Sequence, residues 1–83
     1  MELDTRLSVD ELRTLAAAGL TLDELVETLR ETAGVQVWIE GGFWTAHLPE
    51  LPGVKAEERT HEAMMCRLAR NLRGFFEIEK EAL

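Results

Sequence analysis

Apolar residues recur at three-and-four spacing over the first third of this chain and then switch to strict alternation near residue 35. Leu12, Leu15 and Ala16, and again Leu22, Leu25, Val26 and Leu29, each define one buried stripe of a helix. Two start signals fix where these helices begin. Ser8 is followed three residues on by Glu11, and Thr21 by Glu24, both at capping-box spacing. Leu7 with Leu12 and Leu20 with Leu25 add a hydrophobic staple to each start, and Gly19 and Gly34 stand where a left-handed residue ends a helix. The spacing predicts helices over about 9–18 and 22–33. Helices this short are marginal in water, so they must pack on each other and on something else.

From Val35 the pattern is that of a strand, with Val35, Val37 and Ile39 alternating against Gln36, Trp38 and Glu40. Gly41-Gly42 suits the positive backbone angles of a two-residue hairpin, and Phe43 to Leu48 supplies the returning strand. That turn sets Glu40 opposite Phe43, Ile39 opposite Trp44, Val37 opposite Ala46 and Val35 opposite Leu48. One face is then wholly apolar. The other carries Gln36, Trp38, Glu40, Phe43, Thr45 and His47. Pro49, Pro52 and Gly53 break the second strand, and Val54 to Glu58 returns as a short third strand whose charges suit an edge. Thr60 caps a last helix running to about Lys80, with Met64, Met65, Leu68, Leu72, Phe75 and Phe76 on one side and Arg67, Arg70 and Arg73 on the other. The expected fold is α+β: an N-terminal helical pair over 1–34, then a three-stranded antiparallel sheet packed on one long helix over 35–83.

Length and charge narrow the function classes. An 83-residue chain buries only about 60 % of its unfolded surface, and the single cysteine, Cys66, offers no internal disulfide, so oligomerisation is the expected source of extra stability. No apolar run approaches a membrane span and the start does not resemble a signal peptide, which gives a cytoplasmic expectation. The net charge of −7 is uneven: residues 1–34 hold eight acids against three arginines, and residues 35–83 eight acids against six bases. Such a surface repels a phosphate backbone.

Candidate chemistry is sparse. His47, His61 and Cys66 have no recognised metal-ligand spacing, and no nucleophile stands with a base, so neither a catalytic, a cofactor nor a metal site is expected. His61 reads as a solvent-facing residue of a first helical turn, and Arg67, Arg70 and Arg73 as a solvated helix face. The helical pair around Gly19-Leu20-Thr21 is spaced like a helix-turn-helix, yet its second helix offers Asp23, Glu24, Glu27 and Glu31 with only Arg30. DNA reading by a dimer is therefore the less favoured alternative. Trp38 and Phe43, with Thr45 and His47 beside them, form the expected contact face. They pack under the helical pair, against a second copy, or against a foreign partner, and the first two readings are preferred.

The stretch G-G-F-W-T-A-H-L-P-E-L-P-G-V, followed by T-H-E-A and a long amphipathic helix, resembles the HicB-like antitoxin family over about 45 residues. Gly42, Phe43, Pro49, Glu50, Leu51, Pro52, Gly53, Thr60, Glu62 and Ala63 stand where that family's motif has them. Glu58-Arg59 replaces the family's common Gly-Asp, and Val54 its common cysteine. The resemblance implies a truncated ribonuclease H-like fold without catalytic carboxylates, which neutralises a small basic RNA-cleaving toxin of the HicA-like kind by covering its active surface. A stand-alone oligomer with no toxin is the third reading.

Overall fold

The computed structural model describes residues 7–31 and 34–81, the side chains of 77–81 excepted. Its elements are α1 (Val9–Ala16), α2 (Leu22–Glu31), β1 (Gln36–Glu40), β2 (Phe43–Leu48), β3 (Leu51–Glu58) and α3 (His61–Glu81).

Both N-terminal helices begin in reciprocal capping boxes. The Glu11 N–H donates to Ser8 Oγ at 3.2 Å while the Ser8 N–H donates to the Glu11 carboxylate at 2.8 Å. Thr21 and Glu24 repeat the arrangement at 3.1 and 2.9 Å, so each start satisfies backbone donors that a bare helix end would orphan. α1 stops at Ala16, earlier than the expected residue 18, because the backbone leaves helical geometry at Ala17 (φ −92°, ψ 3°) and the Ala18 N–H donates three residues back, to the Leu15 carbonyl at 3.2 Å. Gly19, at φ +78°, then turns the chain toward α2. The expected end of α2 and its glycine stop depend on residues 32 and 33, which lie outside the described residues.

The hairpin forms in the register its turn demands. Gly41 and Gly42 take φ of 60° and 84°, as a two-residue turn between twisted strands requires, and Glu40 faces Phe43, Ile39 faces Trp44 and Val37 faces Ala46. Two details differ from the alternation. The β1–β2 ladder ends at Gln36 opposite His47, so the expected Val35–Leu48 pair does not form and Leu48 pairs with Leu51 instead. β3 begins at Leu51 rather than Val54, with Pro52 and Gly53 inside it. A register shift between His47 and Leu48 absorbs the extra residues, and an edge strand at a bulge tolerates a proline that cannot donate to a ladder.

The sheet order is β1-β2-β3, with β2 central. α3 starts at the Thr60 cap, where the hydroxyl accepts from the Ala63 N–H at 3.1 Å, and it lies over β2 and β3. Met64, Met65, Leu68, Ala69 and Leu72 are all buried, a stripe too wide for one contact surface, since α3 meets the sheet on one side and the helical pair on another. Leu12 from α1 and Leu25, Val26 and Leu29 from α2 share one core with Ala46, Leu48, Leu51, Val54 and Ala56 of the sheet. Arg73 donates to the Leu20 carbonyl and the Arg13 guanidinium lies 5.3 Å from the Phe76 ring centroid, tying the α1–α2 corner to α3.

This placement corrects two sequence expectations. The helical pair stands on the α3 side and does not cover Trp38 and Phe43, which remain 39 % and 36 % exposed. The second is that the wholly apolar sheet face is only partly used. One helix about 10 Å wide spans about two strands at ~4.8 Å spacing, so Val37 and Ile39 on β1 stay 40 % and 60 % exposed. Among the described residues no helix is long and apolar enough to cross a membrane.

Candidate functional site

The helix-free face of the sheet is built by alternation in three strands. Gln36, Trp38 and Glu40 of β1, Phe43, Thr45 and His47 of β2, and Lys55 and Glu57 of β3 fall on it, because Trp38 pairs with Thr45, Thr45 with Glu57 and His47 with Lys55. All four residues expected to make a contact face, Trp38, Phe43, Thr45 and His47, therefore share one surface. The β3 wall was not legible from the alternation alone. Its register depends on the bulge beside Leu48, which neither glycine nor hydrophobic spacing announces.

Trp38 organises the surface. Its indole N–H donates to Glu40 Oε1 at 3.1 Å, and its ring meets His47 edge-on with centroids 5.4 Å apart. Thr45 lies on the central strand between Trp38 and Glu57 and is only 8 % exposed. Its Oγ1 and the Nδ1 of His47 are buried with no hydrogen-bond partner among the described residues. Both residues line a groove of about 710 Å³, open to solvent, with Trp38 and Glu40 on one wall. Lys55, Glu57 and Pro52 make the other wall, and the groove continues around β3 to Glu58, Arg67 and Asn71. Arg67 donates to the Glu58 carboxylate, and Asn71 Nδ2 donates to the Lys55 carbonyl at 2.7 Å. With that pair neutralised, Glu40 and Glu57 outweigh Lys55, so the groove is left weakly acidic. The Arg59 guanidinium lies 5.5 Å from the Phe43 ring centroid, near the hairpin end.

A buried hydroxyl without a partner is a cost to folding, since it leaves water without replacing the hydrogen bond it loses. Thr45→Val removes the hydroxyl and keeps the β-branched shape. The expected result is stabilisation by about 1 kcal/mol, seen as a melting temperature raised by about 4–8 °C. A lowered melting temperature would mean that the hydroxyl is bonded in the folded chain.

The remaining candidates fall elsewhere. The motif residues have structural duties: Gly42 makes the turn, Pro49 and Glu50 join β2 to β3, Leu51 enters the core, and Thr60 caps α3 with Glu62 and Ala63 exposed in its first turn. Gly53 sits at the bulged start of β3. His61 is not simply solvent-facing, because its ring meets Trp44 edge-on at 5.2 Å on the α3 side, opposite the face of His47. Among the described residues no group of three or more His, Cys, Asp or Glu is placed to hold a metal ion. On the arginine stripe of α3, Arg67 and Arg70 are exposed, Arg67 pairing with Glu58, whereas Arg73 is half-buried against the α1–α2 corner. On α2, Asp23, Glu24, Glu27 and Glu31 are exposed beside Arg30, which itself lies 3.6 Å from Glu27. No family model, no curated protein and no solved structure matches this chain.

Proposed function

We propose that this chain is a non-catalytic interaction module, similar to a HicB-like antitoxin, that binds a small basic protein in the groove on the helix-free face of its sheet. The observation that carries this reading is the exposed Trp38 ring, 39 % accessible, on the wall of an open groove. An accessible aromatic anchor in a concave surface is the composition of a binding hot spot rather than of an idle surface. Glu40 and Glu57 flank the anchor and supply the sign that attracts a basic partner. A toxin that cleaves RNA must itself be cationic where it holds phosphates, so an acidic groove would compete for that surface. Reading of duplex DNA by α2 is the weaker alternative, because its exposed residues are mostly acidic.

The test uses the full chain as bait, with bound proteins identified by mass spectrometry and then purified. A small basic protein is expected, its RNA cleavage suppressed by added chain. The Glu40→Lys, Glu57→Lys double variant is expected to weaken that association at least ~100-fold by setting like charges against each other. Retention that ignores the charge reversal, or a retained protein that cleaves no RNA, would count against the reading.

A further inference from the structure

We infer that a second copy of this chain docks on the outer edge of β1, joining two three-stranded sheets into one of six strands. The inference deepens the reading of the chain as an interaction module by naming a self-partner. It stands apart from the identity of any protein held in the groove.

β1 is the open edge of the sheet. Among the described residues no strand pairs on its outer side. Val37, Trp38 and Ile39 are exposed on it in succession, an apolar run on both faces that edge strands ordinarily avoid. The opposite edge is defended. β3 carries Pro52, a register shift, and Lys55, Glu57 and Glu58, and Asn71 already occupies the Lys55 carbonyl. Pairing through β1 alone makes a closed dimer and not a fibre.

The backbone pattern selects how the copies meet. A two-residue turn closes on a hydrogen-bonded pair, here Glu40 and Phe43, and such pairs alternate along an antiparallel ladder. Glu40, Trp38 and Gln36 therefore spend their backbone groups on β2, while Val37 and Ile39 turn theirs outward. A two-fold axis perpendicular to the sheet and midway between the two copies of Trp38 sets Val37 against Ile39 of the second copy and Ile39 against its Val37. Every outward N–H and C=O of the two residues is then bonded.

The side chains agree with the same axis. On the α3 side, Val37 and Ile39 of each copy meet and cover the part of the apolar face that α3 leaves bare. On the groove side Trp38 meets its own counterpart. Glu40, the single charge of the strand, falls opposite Gln36 of the second copy, an amide that can donate to it, so no like charges face each other across the seam. A chain of net charge −7 can self-associate here because every acid but Glu40 lies off this strand.

Sedimentation of the full chain across a dilution series should show a reversible species of twice the chain mass. Ile39→Lys is expected to weaken dimerisation at least ~30-fold with the far-UV spectrum unchanged, since Ile39 is more than half exposed in the single chain. Val37→Pro should do the same by deleting an outward donor that β2 does not use. With Cys66→Ser, Trp38→Cys should oxidise to a cross-linked dimer and Ile39→Cys should not, because Trp38 alone meets itself across the axis. Wild-type chain that stays monomeric throughout, or Ile39→Lys that dimerises as well as wild type, would overturn the inference. Glu57→Lys on β3 should leave the dimer intact, so loss of the groove partner and loss of the dimer are separable outcomes.

Discussion

A fragment beginning at Val35 is expected to lose the cooperative thermal transition of the full chain. The sequence divides at Gly34 by pattern and charge, which invites the view that residues 35–83 fold alone with a helical pair attached. The packing argues otherwise, because Leu12, Leu25 and Leu29 are at most 2 % exposed and lie in the same core as the sheet and α3. Burial of three leucines contributes about 5–9 kcal/mol at ~1.5–3 kcal/mol each. A chain of this length has a net stability of only about 4–12 kcal/mol. Removing the pair takes away most or all of that margin and hands the side of α3 it covers to water. Calorimetry on the 35–83 fragment checks this: a sharp heat-absorption peak would show that the helical pair is an appendage.

Leu68→Ala is the point substitution with the largest expected effect. Leu68 is fully buried in the middle of α3, the element that meets both the sheet and the helical pair, so neighbours on two sides would have to move to fill the void. Deleting a buried leucine side chain costs about 2–5 kcal/mol, the upper part of the range applying where collapse is hindered. The urea midpoint should fall by about 1–3 M, or the variant should be unfolded without denaturant. Ile39→Ala removes as much aliphatic surface from a position 60 % exposed, and should cost under about 1 kcal/mol in the isolated chain. Equal losses at the two positions would contradict the described core.

Much of the local structure was legible because its causes are local. Ser8-Glu11 and Thr21-Glu24 cap their helices through atoms three residues apart, and Gly41-Gly42 fixes the hairpin register through its own backbone angles. That Trp38, Phe43, Thr45 and His47 share one face followed from that register by alternation. The wall made by Lys55 and Glu57 did not, since a register shift between His47 and Leu48 moved β3 relative to β2. Ala46, Ala56 and Ala69 are core residues that hydrophobic spacing underweights: small side chains lie where backbones approach closely, and no pattern of bulk points to them.

By itself, the sequence determined where each helix starts, which strand pairs with which across the glycine turn, and which side chains of that hairpin share a face, because each depends on a few neighbouring torsions. Only the tertiary structure decided which apolar faces are covered. A single helix is narrower than three strands, so α3 had to leave one strand bare, and the helical pair gained more by packing on α3 than by crossing to the far face. The outcome is an exposed β1 and a groove lined by Thr45, neither of which any one segment specifies.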